Sequence, residues 1–511
     1  MATISESKAL CDARPSVHEP QQLCIGGSSC NSADGSTFPV VNPMTGDNVY
    51  GCASATIEDC TRAIDAASAA FEKWSRTSPA SRRLILLKAA DIIEQYLQQD
   101  APAILSSEVS ATKGWVRVNV LGTAGTMREV ASMATHIKGE IIPAERPGTT
   151  ILVEREPMGV CFAMSPWNAP VNLTARAVCM PLICGNTAVL KPSEFSPKSQ
   201  YLVVRALQEA GLPTGCLNYL PVSAEKTPEV TEYIIKHPAV RHVNFTGSDR
   251  VGKIIAGLAA SCLKPCVLEL GGKAPLIILD DADVGDAVAA VTFGALANAG
   301  QICMSTERVI VHASVAEEFK SALVKRFHEI KVGDHTQDNS VCISGMFSPV
   351  HAQRVKTMLE AARTAGAQLL VGDMALTGPR GTIMGPHILD GVTPDMEIFR
   401  RESFGPLVCL TEFRGGDDDD EEAVRLANDS EYSLSGAVFS RDVMRALAVA
   451  RRMRTGACHV NGATIFFEPT VPNGGMGGSS GYGRFGGIAG VEEFTQRKII
   501  TLARGGIKYP F

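Results

Sequence analysis

Three residues of this 511-residue chain have side chains that could act together in covalent catalysis. Cys303 follows a glycine turn in residues 300–305 (Gly-Gln-Ile-Cys-Met-Ser), and a thiol there is a nucleophile if something lowers its pKa and takes its proton. Glu269 stands in an apolar run before two glycines, where a buried carboxylate can act as a general base. Asn168, in a turn between two prolines, could present amide donors to an oxyanion. Each residue alone has a structural alternative: an inert core thiol, a buried structural glutamate, and an asparagine that closes a turn.

Further polar residues stand where predicted strands end, as nucleotide-binding residues do in α/β proteins. Gly247 and Ser248 end one strand and open a helix, whose free first-turn amides can bind a phosphate. Lys191 and Glu194 follow another strand and could hold the two hydroxyls of an adenosine ribose. Glu194 would also repel a 2′-phosphate, which favours NAD over NADP. An ordinary strand-to-helix turn and a surface ion pair are the alternatives for these two motifs.

One further nucleotide motif is rejected. Residues 481–486 (Gly-Tyr-Gly-Arg-Phe-Gly) match the G-x-G-x-x-G pattern, but no apolar strand precedes them and no long helix follows. We therefore predict a plain loop at these residues.

The elements that would position these residues alternate between short strands and helices. The alternation from residue 160 to 279 predicts a doubly wound parallel sheet, and a second alternating block from 288 to 428 predicts a second α/β domain. Such sheets bind ligands at the carboxyl ends of their strands. The turn with Asn168 and the segments 191–194 and 246–248 stand at such ends.

Segments outside the two alternating blocks have other patterns. Apolar residues at three-and-four spacing predict amphipathic helices at 57–74 and 81–99. Residues 138–159 predict a strand–turn–strand arm, whose outer edge needs cover from another element or another subunit. Residues 1–36 are expected to form a loose arm, and the acidic run 417–422 a solvated loop before a helix.

Composition narrows the class of protein. The length predicts two or three domains, and a formal net charge of -6 gives no electrostatic case for nucleic acid or an anionic membrane as partner. Residues 1–30 lack a signal-peptide pattern and no apolar run is long enough for a membrane span, so the cytoplasm is expected. The 15 cysteines are expected to be reduced. Without histidines at zinc-ligand spacing near them, no metal site is predicted.

Taken together, the motifs resemble the NAD(P)-dependent aldehyde dehydrogenase superfamily, from about residue 38 to the end of the chain. The motifs that carry this resemblance are 166–168 (Pro-Trp-Asn), 191–194 (Lys-Pro-Ser-Glu), 245–248 (Phe-Thr-Gly-Ser), 269–273 (Glu-Leu-Gly-Gly-Lys), 300–303 (Gly-Gln-Ile-Cys) and 402–406 (Glu-Ser-Phe-Gly-Pro). Within the superfamily, residues 167–170, 303–308 and 481–486 look most like the salicylaldehyde/vanillin dehydrogenase-like group.

The resemblance implies a fold of three parts. These are a Rossmann-like doubly wound NAD-binding domain at 20–137 and 160–270, a second α/β catalytic domain at 271–474, and an oligomerisation arm and tail at 138–159 and 488–511. A homodimer or homotetramer is implied by that arm.

The resemblance also implies a reaction, the oxidation of an aldehyde by NAD to the carboxylic acid through a thiohemiacetal and a thioester. Cys303 would be the nucleophile, Glu269 the general base, and Asn168 with the Cys303 backbone amide the oxyanion hole. The implied cofactor-binding residues are Trp167, Lys191, Ser193, Glu194, Gly247, Ser248, Gly252, Leu270, Glu402 and Phe404. Asp249 is a departure, because many relatives carry threonine there and an acidic group near a pyrophosphate is unfavourable unless it points away or pairs with Arg250.

The substrate is expected to be an aromatic or otherwise apolar aldehyde. Asn172 and Arg176 share a face of the helix after Asn168, and Arg176 could hydrogen-bond a phenol or carboxylate of the substrate. Phe466 and Phe467 could form an aromatic wall. A salt-bridged surface arginine and ordinary core packing are the alternatives.

Two other functions compete with aldehyde oxidation to the acid. A CoA-acylating aldehyde dehydrogenase would pass the thioester to coenzyme A and would not need a water-activating base, so Glu269 argues against it. A catalytically silent structural or binding protein with the same fold would not need Cys303, Glu269 and Asn168 together.

Overall fold

Two seven-stranded sheets form the frame of the computed structural model, which describes residues 17–414 and 419–505. Its strands are β1 (Leu23–Ile25), β2 (Ser28–Cys30), β3 (Thr37–Val41), β4 (Asn48–Ala53), β5 (Glu140–Pro143), β6 (Thr149–Pro157), β7 (Val160–Met164), β8 (Thr187–Lys191), β9 (Leu217–Tyr219), β10 (Val240–Thr246), β11 (Cys266–Glu269), β12 (Ala274–Ile278), β13 (Thr306–His312), β14 (Gln368–Val371), β15 (Leu376–Thr377), β16 (Ile383–Met384), β17 (His387–Asp390), β18 (Leu407–Phe413), β19 (Ser435–Phe439), β20 (Ala457–Val460) and β21 (Thr495–Ala503). Its helices are α1 (Ile57–Trp74), α2 (Pro79–Tyr96), α3 (Ala101–Val109), α4 (Lys113–Ser132), α5 (Pro170–Ile183), α6 (Pro197–Glu209), α7 (Thr227–Lys236), α8 (Asp249–Ser261), α9 (Val284–Leu296), α10 (Ala313–His328), α11 (Pro349–Thr364), α12 (Glu397–Arg400), α13 (Asp419–Asn428), α14 (Val443–Arg452) and α15 (Gly487–Glu493), with 3-10 turns at Met133–His136, Ala297–Gly300 and Gly478–Ser480. The predicted α/β class is confirmed. Among the described helices, none is both long and apolar enough to cross a lipid bilayer.

The first sheet has the strand order β11-β10-β7-β8-β9-β1-β2, and its strands β7 to β11 run parallel. Every residue of β7 (Val-Cys-Phe-Ala-Met) is buried, as expected of a parallel strand covered on both faces. Along the chain, β8 and β9 are added to one side of β7, whereas β10 and β11 are added to its other side. The order of the strands therefore reverses at β7, which opens a crevice at the carboxyl ends of β7, β8 and β10, where three of the sequence motifs stand.

The second sheet has the order β14-β17-β18-β13-β12-β19-β20 and is parallel except for the edge strand β14. The strand at 276–279, grouped with the first sheet in the sequence analysis, is β12 and belongs to this second sheet, so that grouping was wrong. After β11 the chain leaves the first sheet through Gly271 and Gly272. A Cβ at Gly272 would lie 2.0 Å from the Cys303 carbonyl oxygen, so this crossing brings β11 close to the residues that precede β13.

The N-terminal segment is more ordered than the predicted loose arm. Strands β1 and β2 form a hairpin, and β1 pairs antiparallel with β9 at the edge of the first sheet. Leu23 and Cys24 are almost fully buried there, which explains why these residues join the sheet. Residues 1–16, and residues 417 and 418 of the acidic run, lie outside the described residues.

A three-stranded sheet of order β21-β6-β5 contains the predicted strand–turn–strand arm. Strands β5 and β6 pair antiparallel, and β21 from the C-terminal tail covers the other edge of β6 along its whole length. Ile141 on β5 is 76% exposed and Ile499 on β21 is 70% exposed. The arm therefore presents apolar side chains to its surroundings; residues 506–511 of the predicted tail lie outside the described residues.

Residues 481–486 form the predicted loop, which follows the edge of β11. The backbone N–H of Leu268 donates to the Tyr482 carbonyl at 2.9 Å, and that of Leu270 donates to the Ser480 carbonyl at 3.1 Å. The glycines of this segment therefore serve a close backbone approach to β11, rather than a phosphate.

Candidate active site

The cysteine at position 303 is held at the end of a strained turn. Helix α9 ends at Leu296, and Asn298, Ala299 and Gly300 then adopt φ values of 51°, 56° and 70°. A Cβ at Gly300 would lie 2.0 Å from the Gly405 carbonyl oxygen, so a glycine is required there. Left-handed backbone at residues other than glycine is unfavourable and concentrates at functional sites. The turn directs the chain back toward the first sheet and leaves Cys303 half-buried in the wall of a cleft.

The Cys303 thiol contacts the carboxylate of Glu269, which ends β11. The Sγ–Oε1 distance is 3.9 Å, within hydrogen-bond range for sulfur. The other carboxylate oxygen, Oε2, lies 2.5 Å from Nη1 of Arg176 on α5, and both side chains are buried. Arg176 also donates to the Thr246 hydroxyl at 3.1 Å and its guanidinium lies over the Phe485 ring at 4.7 Å. The ion pair thus fixes one oxygen of the carboxylate and leaves the other facing the sulfur.

The resting thiol is protonated. Burial raises the pKa of Cys303, the nearby Glu269 carboxylate raises it further, and Arg176 opposes these effects. The surroundings therefore do not lower the pKa of this thiol in the resting protein, because desolvation outweighs the cation. A proton acceptor is needed at the sulfur, and Glu269 Oε1 is in position to be that acceptor.

Asn168 lies beside the cysteine turn. Its side-chain Nδ2 donates to the Gln301 carbonyl at 3.0 Å, and an amide nitrogen has a second hydrogen to donate. Its own carbonyl accepts from Trp115 Nε1 at 2.8 Å and from Asn298 Nδ2 at 3.2 Å. Trp115 had no motif to mark it in the sequence, because it reaches Asn168 only through the packing of α4 on α5.

Cys303 and Asn168 face a cleft of about 480 Å³ between the two sheets. Six of the sequence-predicted cofactor residues line the same cleft: Trp167, Gly247, Ser248, Leu270, Glu402 and Phe404. Ser248 caps α8 by accepting from the Val251 N–H at 3.4 Å. A Cβ at Gly252 would lie 2.5 Å from a Leu270 methyl, so this glycine lets α8 pack against the wall of the cleft.

Glu402 and Phe404 are held in place by buried polar groups that the sequence analysis missed. The Gly272 N–H donates to Glu402 Oε1 at 2.8 Å. Behind that loop, Glu307 accepts from the Ser403 N–H at 2.9 Å and from the Phe404 N–H at 3.2 Å, and its own charge is matched by Lys273 Nζ at 2.5 Å. These contacts join residues remote in sequence, so no local pattern could have marked Glu307.

Asp249, the departure from the family pattern, has a cation beside it. Its Oδ2 lies 3.9 Å from Arg401 Nη1, whereas Arg250 contacts it only through a backbone N–H that donates to Oδ1 at 2.8 Å. The carboxylate thus has the Arg401 side chain as its nearby cation and makes no ion pair with the Arg250 side chain. This pairing reduces the negative charge that Asp249 presents at the start of α8.

Several other predicted residues lie outside the wall of this cleft. Lys191 and Ser193 are buried, and Lys191 Nζ donates to the Pro192 carbonyl at 3.1 Å while burial lowers its pKa. Asn172 faces α4, where a Cβ at Gly122 would lie 2.7 Å from its Nδ2. Glu194 lines a neighbouring cavity. Phe466 is 57% exposed, which excludes core packing for it, and Phe467 is half-buried; their contact with substrate stays a prediction.

The fold and the cysteine site together define an aldehyde-oxidising enzyme, and the chain belongs to the aldehyde dehydrogenase family, whose model matches residues 30–500. It is 46% identical over 488 residues to a vanillin dehydrogenase of Pseudomonas sp. strain HR199, covering 96% of this chain and 99% of that one. The crystal structure of a salicylaldehyde dehydrogenase from Pseudomonas putida G7, complexed with salicylaldehyde, matches with a TM-score of 0.93 at 41% identity, covering 97% and 100% of the two chains. An NAD-dependent aldehyde dehydrogenase from Sinorhizobium meliloti matches with a TM-score of 0.92 at 33% identity, covering 97% of each chain. The family, the enzyme class and the subgroup resemblance predicted from the motifs are confirmed.

Proposed function

We propose that this enzyme oxidises aromatic aldehydes to carboxylic acids with NAD, through a covalent intermediate on Cys303. The observation that carries the proposal is the contact between the Cys303 sulfur and Glu269 Oε1 beside a cleft that Asn168 also lines. The names of the vanillin and salicylaldehyde dehydrogenases support an aromatic substrate. Trp115 and Arg176 lie next to the site and supply an aromatic surface and a guanidinium. In our proposal Arg176 contacts the phenol of the substrate while it keeps its ion pair with Glu269.

In this mechanism Glu269 accepts the thiol proton as sulfur adds to the aldehyde carbon, forming a thiohemiacetal. Asn168 Nδ2 and the Cys303 backbone N–H donate to its oxyanion; one such donor typically contributes about 3–4 kcal/mol to catalysis. NAD, when bound, supplies the hydride acceptor for the oxidation. Glu269 must release the thiol proton to solvent before it can act again. The ionised carboxylate then removes a proton from water, which attacks the thioester; the C–S bond breaks, and the acid leaves with the sulfur of Cys303 as the leaving group.

The cofactor cleft suits a dinucleotide. Gly271 leaves room that a side chain would fill, since a Cβ there would lie 2.7 Å from Glu402 Oε2. In our proposal Glu402 holds the nicotinamide ribose, Phe404 and Trp167 pack nearby, and Ser248 with the first turn of α8 holds the pyrophosphate. Lys191 and Glu194 would hold the adenosine ribose. The first sheet would then belong to an NAD-binding domain at 20–137 and 160–270, and the second sheet to a catalytic domain at 271–474.

We also propose a homodimer or homotetramer in the cytoplasm. The exposed isoleucines and open edges of the three-stranded sheet support the assembly, since an unpaired strand edge favours pairing with another chain. The free thiols of the cysteines in the described residues suit a reducing compartment.

A panel of aldehydes tests the proposal directly. NADH formation is followed by its near-ultraviolet absorption with vanillin, salicylaldehyde, benzaldehyde, acetaldehyde and propanal as substrates. We expect kcat/KM for the aromatic aldehydes to exceed that for the aliphatic ones by about tenfold or more, because burial of a group the size of a phenylalanine side chain contributes about 1.5–3 kcal/mol. A preference for acetaldehyde would refute the aromatic assignment, and acyl-CoA as the product would favour the CoA-acylating alternative.

NAD binding should strengthen as pH rises. Burial raises the pKa of Glu402 to about 8, the Glu307 carboxylate adds to the rise, and the Gly272 N–H and Lys273 oppose it. The free enzyme thus holds Glu402 mostly protonated at neutral pH, whereas the ionised carboxylate is the stronger acceptor for ribose hydroxyls. A difference of about 1 kcal/mol between the two forms predicts a Kd for NAD about fivefold lower at pH 9 than at pH 6.5. Calorimetric titration checks this, with Glu402→Gln expected to bind weakly at both pH values; a Kd for the unaltered enzyme that is constant over this range would contradict it.

A further inference from the structure

One buried carboxylate lies where three segments of the active site meet. Glu307 is on β13, shortly after Cys303 in the chain, and its side chain is almost fully buried. Its Oε2 lies 2.5 Å from Nζ of Lys273, which follows the two glycines of the crossing between the sheets. Its other partners belong to the loop at 402–404. Glu307 thus connects the strand after the cysteine turn, the crossing from β11, and the loop that carries Glu402.

Both carboxylate oxygens of Glu307 face hydrogen-bond donors. Oε1 accepts from the Ser403 N–H at 3.1 Å and from the Phe404 N–H at 3.2 Å. Oε2 accepts from the Ser403 N–H at 2.9 Å and from the Ser403 hydroxyl at 2.6 Å, in addition to Lys273. A neutral amide here could accept at only one of its two ends, and its own N–H groups would face donors at the other end. The surroundings of this side chain therefore require a carboxylate.

The loop that Glu307 supports has a strained backbone. Phe404 has a φ of 56°, which is rare for a bulky residue and persists only where the surroundings hold it. From the cleft, Arg354 Nη2 donates to the Glu402 carbonyl at 2.8 Å, and His351 Nε2 donates to the Phe404 carbonyl at 2.8 Å. The Arg354 side chain is exposed and that of His351 is half-buried. The buried support for this backbone conformation comes from Glu307.

The same loop supports the cysteine turn. A Cβ at Gly300 would lie 2.0 Å from the Gly405 carbonyl oxygen, so the turn before Cys303 packs directly on the loop. Strand β13 is held separately, because it pairs in parallel with β12 on one side and β18 on the other. Glu307 is therefore anchored in a fixed strand while its carboxylate holds the loop, and this arrangement sets the distance between the sulfur and Glu402.

Resting on the NAD-dependent function proposed above, we infer that Glu307 is a positioning residue for hydride transfer. The hydride leaves the carbon that is bonded to the Cys303 sulfur, and Glu402 and Phe404 are the residues that hold the nicotinamide end of NAD in our proposal. The donor and the acceptor are thus held by segments that meet at Glu307. A misplacement of the reacting groups by about 1 Å lowers the rate by about 10²-fold. Glu307 acts on kcat in this way without contact with the aldehyde or the cofactor.

Replacing Glu307 by glutamine tests this role, with Glu108→Gln as the matched control. Glu108 is also buried and accepts from two backbone N–H groups, those of Lys198 at 2.9 Å and Ser199 at 2.8 Å, outside the lining of the cleft. We expect Glu307→Gln to lower kcat for an aromatic aldehyde by about 10²-fold. It should also show a primary isotope effect on kcat when the formyl hydrogen is deuterium, because hydride transfer is then the slow step. The control should keep kcat within about threefold.

Three further measurements separate positioning from a loosened fold. Acylation of Cys303 by p-nitrophenyl acetate needs no hydride acceptor, so Glu307→Gln should keep its rate within about threefold. The Kd for NAD should rise about fivefold, the effect of one weakened hydrogen bond at Glu402, whereas that for 5′-AMP, which lacks the nicotinamide ribose, should stay within about twofold. Adding Lys273→Met to Glu307→Gln removes the unpaired buried charge. The double variant should melt closer to the unaltered enzyme than Glu307→Gln does, yet keep the low kcat.

Four results would each overturn the positioning role: equal losses in ester cleavage and aldehyde oxidation, a lowered kcat without an isotope effect, an unchanged Kd for NAD, or recovery of kcat in the double variant. Absence of NADH formation by the unaltered enzyme with every aldehyde would instead overturn the proposed function. The titrations with NAD and 5′-AMP would still report whether Glu307 holds the loop that carries Glu402.

Discussion

Replacing Cys303 by alanine should abolish NADH formation, with a loss in kcat of about 10⁴-fold or more, because the covalent intermediate forms on its sulfur. Cys303 is the cysteine that both lines the cleft and contacts the Glu269 carboxylate. NAD binding should survive, because the residues proposed to hold the dinucleotide do not depend on the sulfur. The measurements are steady-state rates with an aromatic aldehyde and calorimetric titration with NAD.

The matched control is Cys342→Ala. Cys342 is an exposed free thiol in the loop before α11, outside the lining of the cleft, and its removal should leave kcat within about twofold. Thermal melting of both variants separates loss of chemistry from loss of fold. A Cys303→Ala protein that keeps more than about one hundredth of the turnover would refute the nucleophile assignment, since a missing nucleophile leaves far less.

The residues of the site could be found in the sequence because α/β folds place ligands where parallel strands end. Asn168 follows β7, Ser248 follows β10 and Glu269 ends β11, so each stood at a position that the strand pattern marked. Gly300 indicated the cysteine turn in the sequence. The structure explains why this residue is a glycine, because a Cβ there would clash with the Gly405 carbonyl oxygen. Local patterns sufficed wherever the chemistry lies at the end of a recognisable element.

The electrostatics of the site could not be predicted in the same way. From the sequence, Arg176 could either contact the substrate or form a salt bridge. The structure shows an ion pair with Glu269, which is on β11 and comes close to α5 only when the chain has folded. The raised pKa of Cys303 likewise results from burial between the two sheets, a property of the whole fold. Strand β12 was assigned to the wrong sheet for a related reason, because an apolar run of five residues has the same pattern in either sheet.

Replacing Glu269 by glutamine should slow release of the acid by about 10²- to 10⁴-fold, the usual contribution of a general base. Deacylation should be slowed most, because water is a much weaker acid than a thiol, even a thiol whose pKa is raised by burial, and so depends more on a base. The acyl group should therefore accumulate on Cys303. Intact-protein mass spectrometry after mixing with NAD and an aromatic aldehyde should show one acyl adduct per chain, and added hydroxylamine should restore turnover because it attacks the thioester without a base.

The same substitution removes the carboxylate that pairs with the buried Arg176 guanidinium. Removal of one partner of a buried ion pair typically lowers the free energy of unfolding by about 3–5 kcal/mol. Glu108→Gln is the matched control, because Glu108 is also a buried carboxylate but accepts from the Ser199 N–H at 2.8 Å at the start of α6, away from the cleft. Both variants should melt at lower temperature, yet only Glu269→Gln should accumulate the adduct. If Glu108→Gln accumulated it too, the adduct would reflect a loosened fold. Normal release of acid by Glu269→Gln would show that the carboxylate 3.9 Å from the sulfur is not the base that activates water.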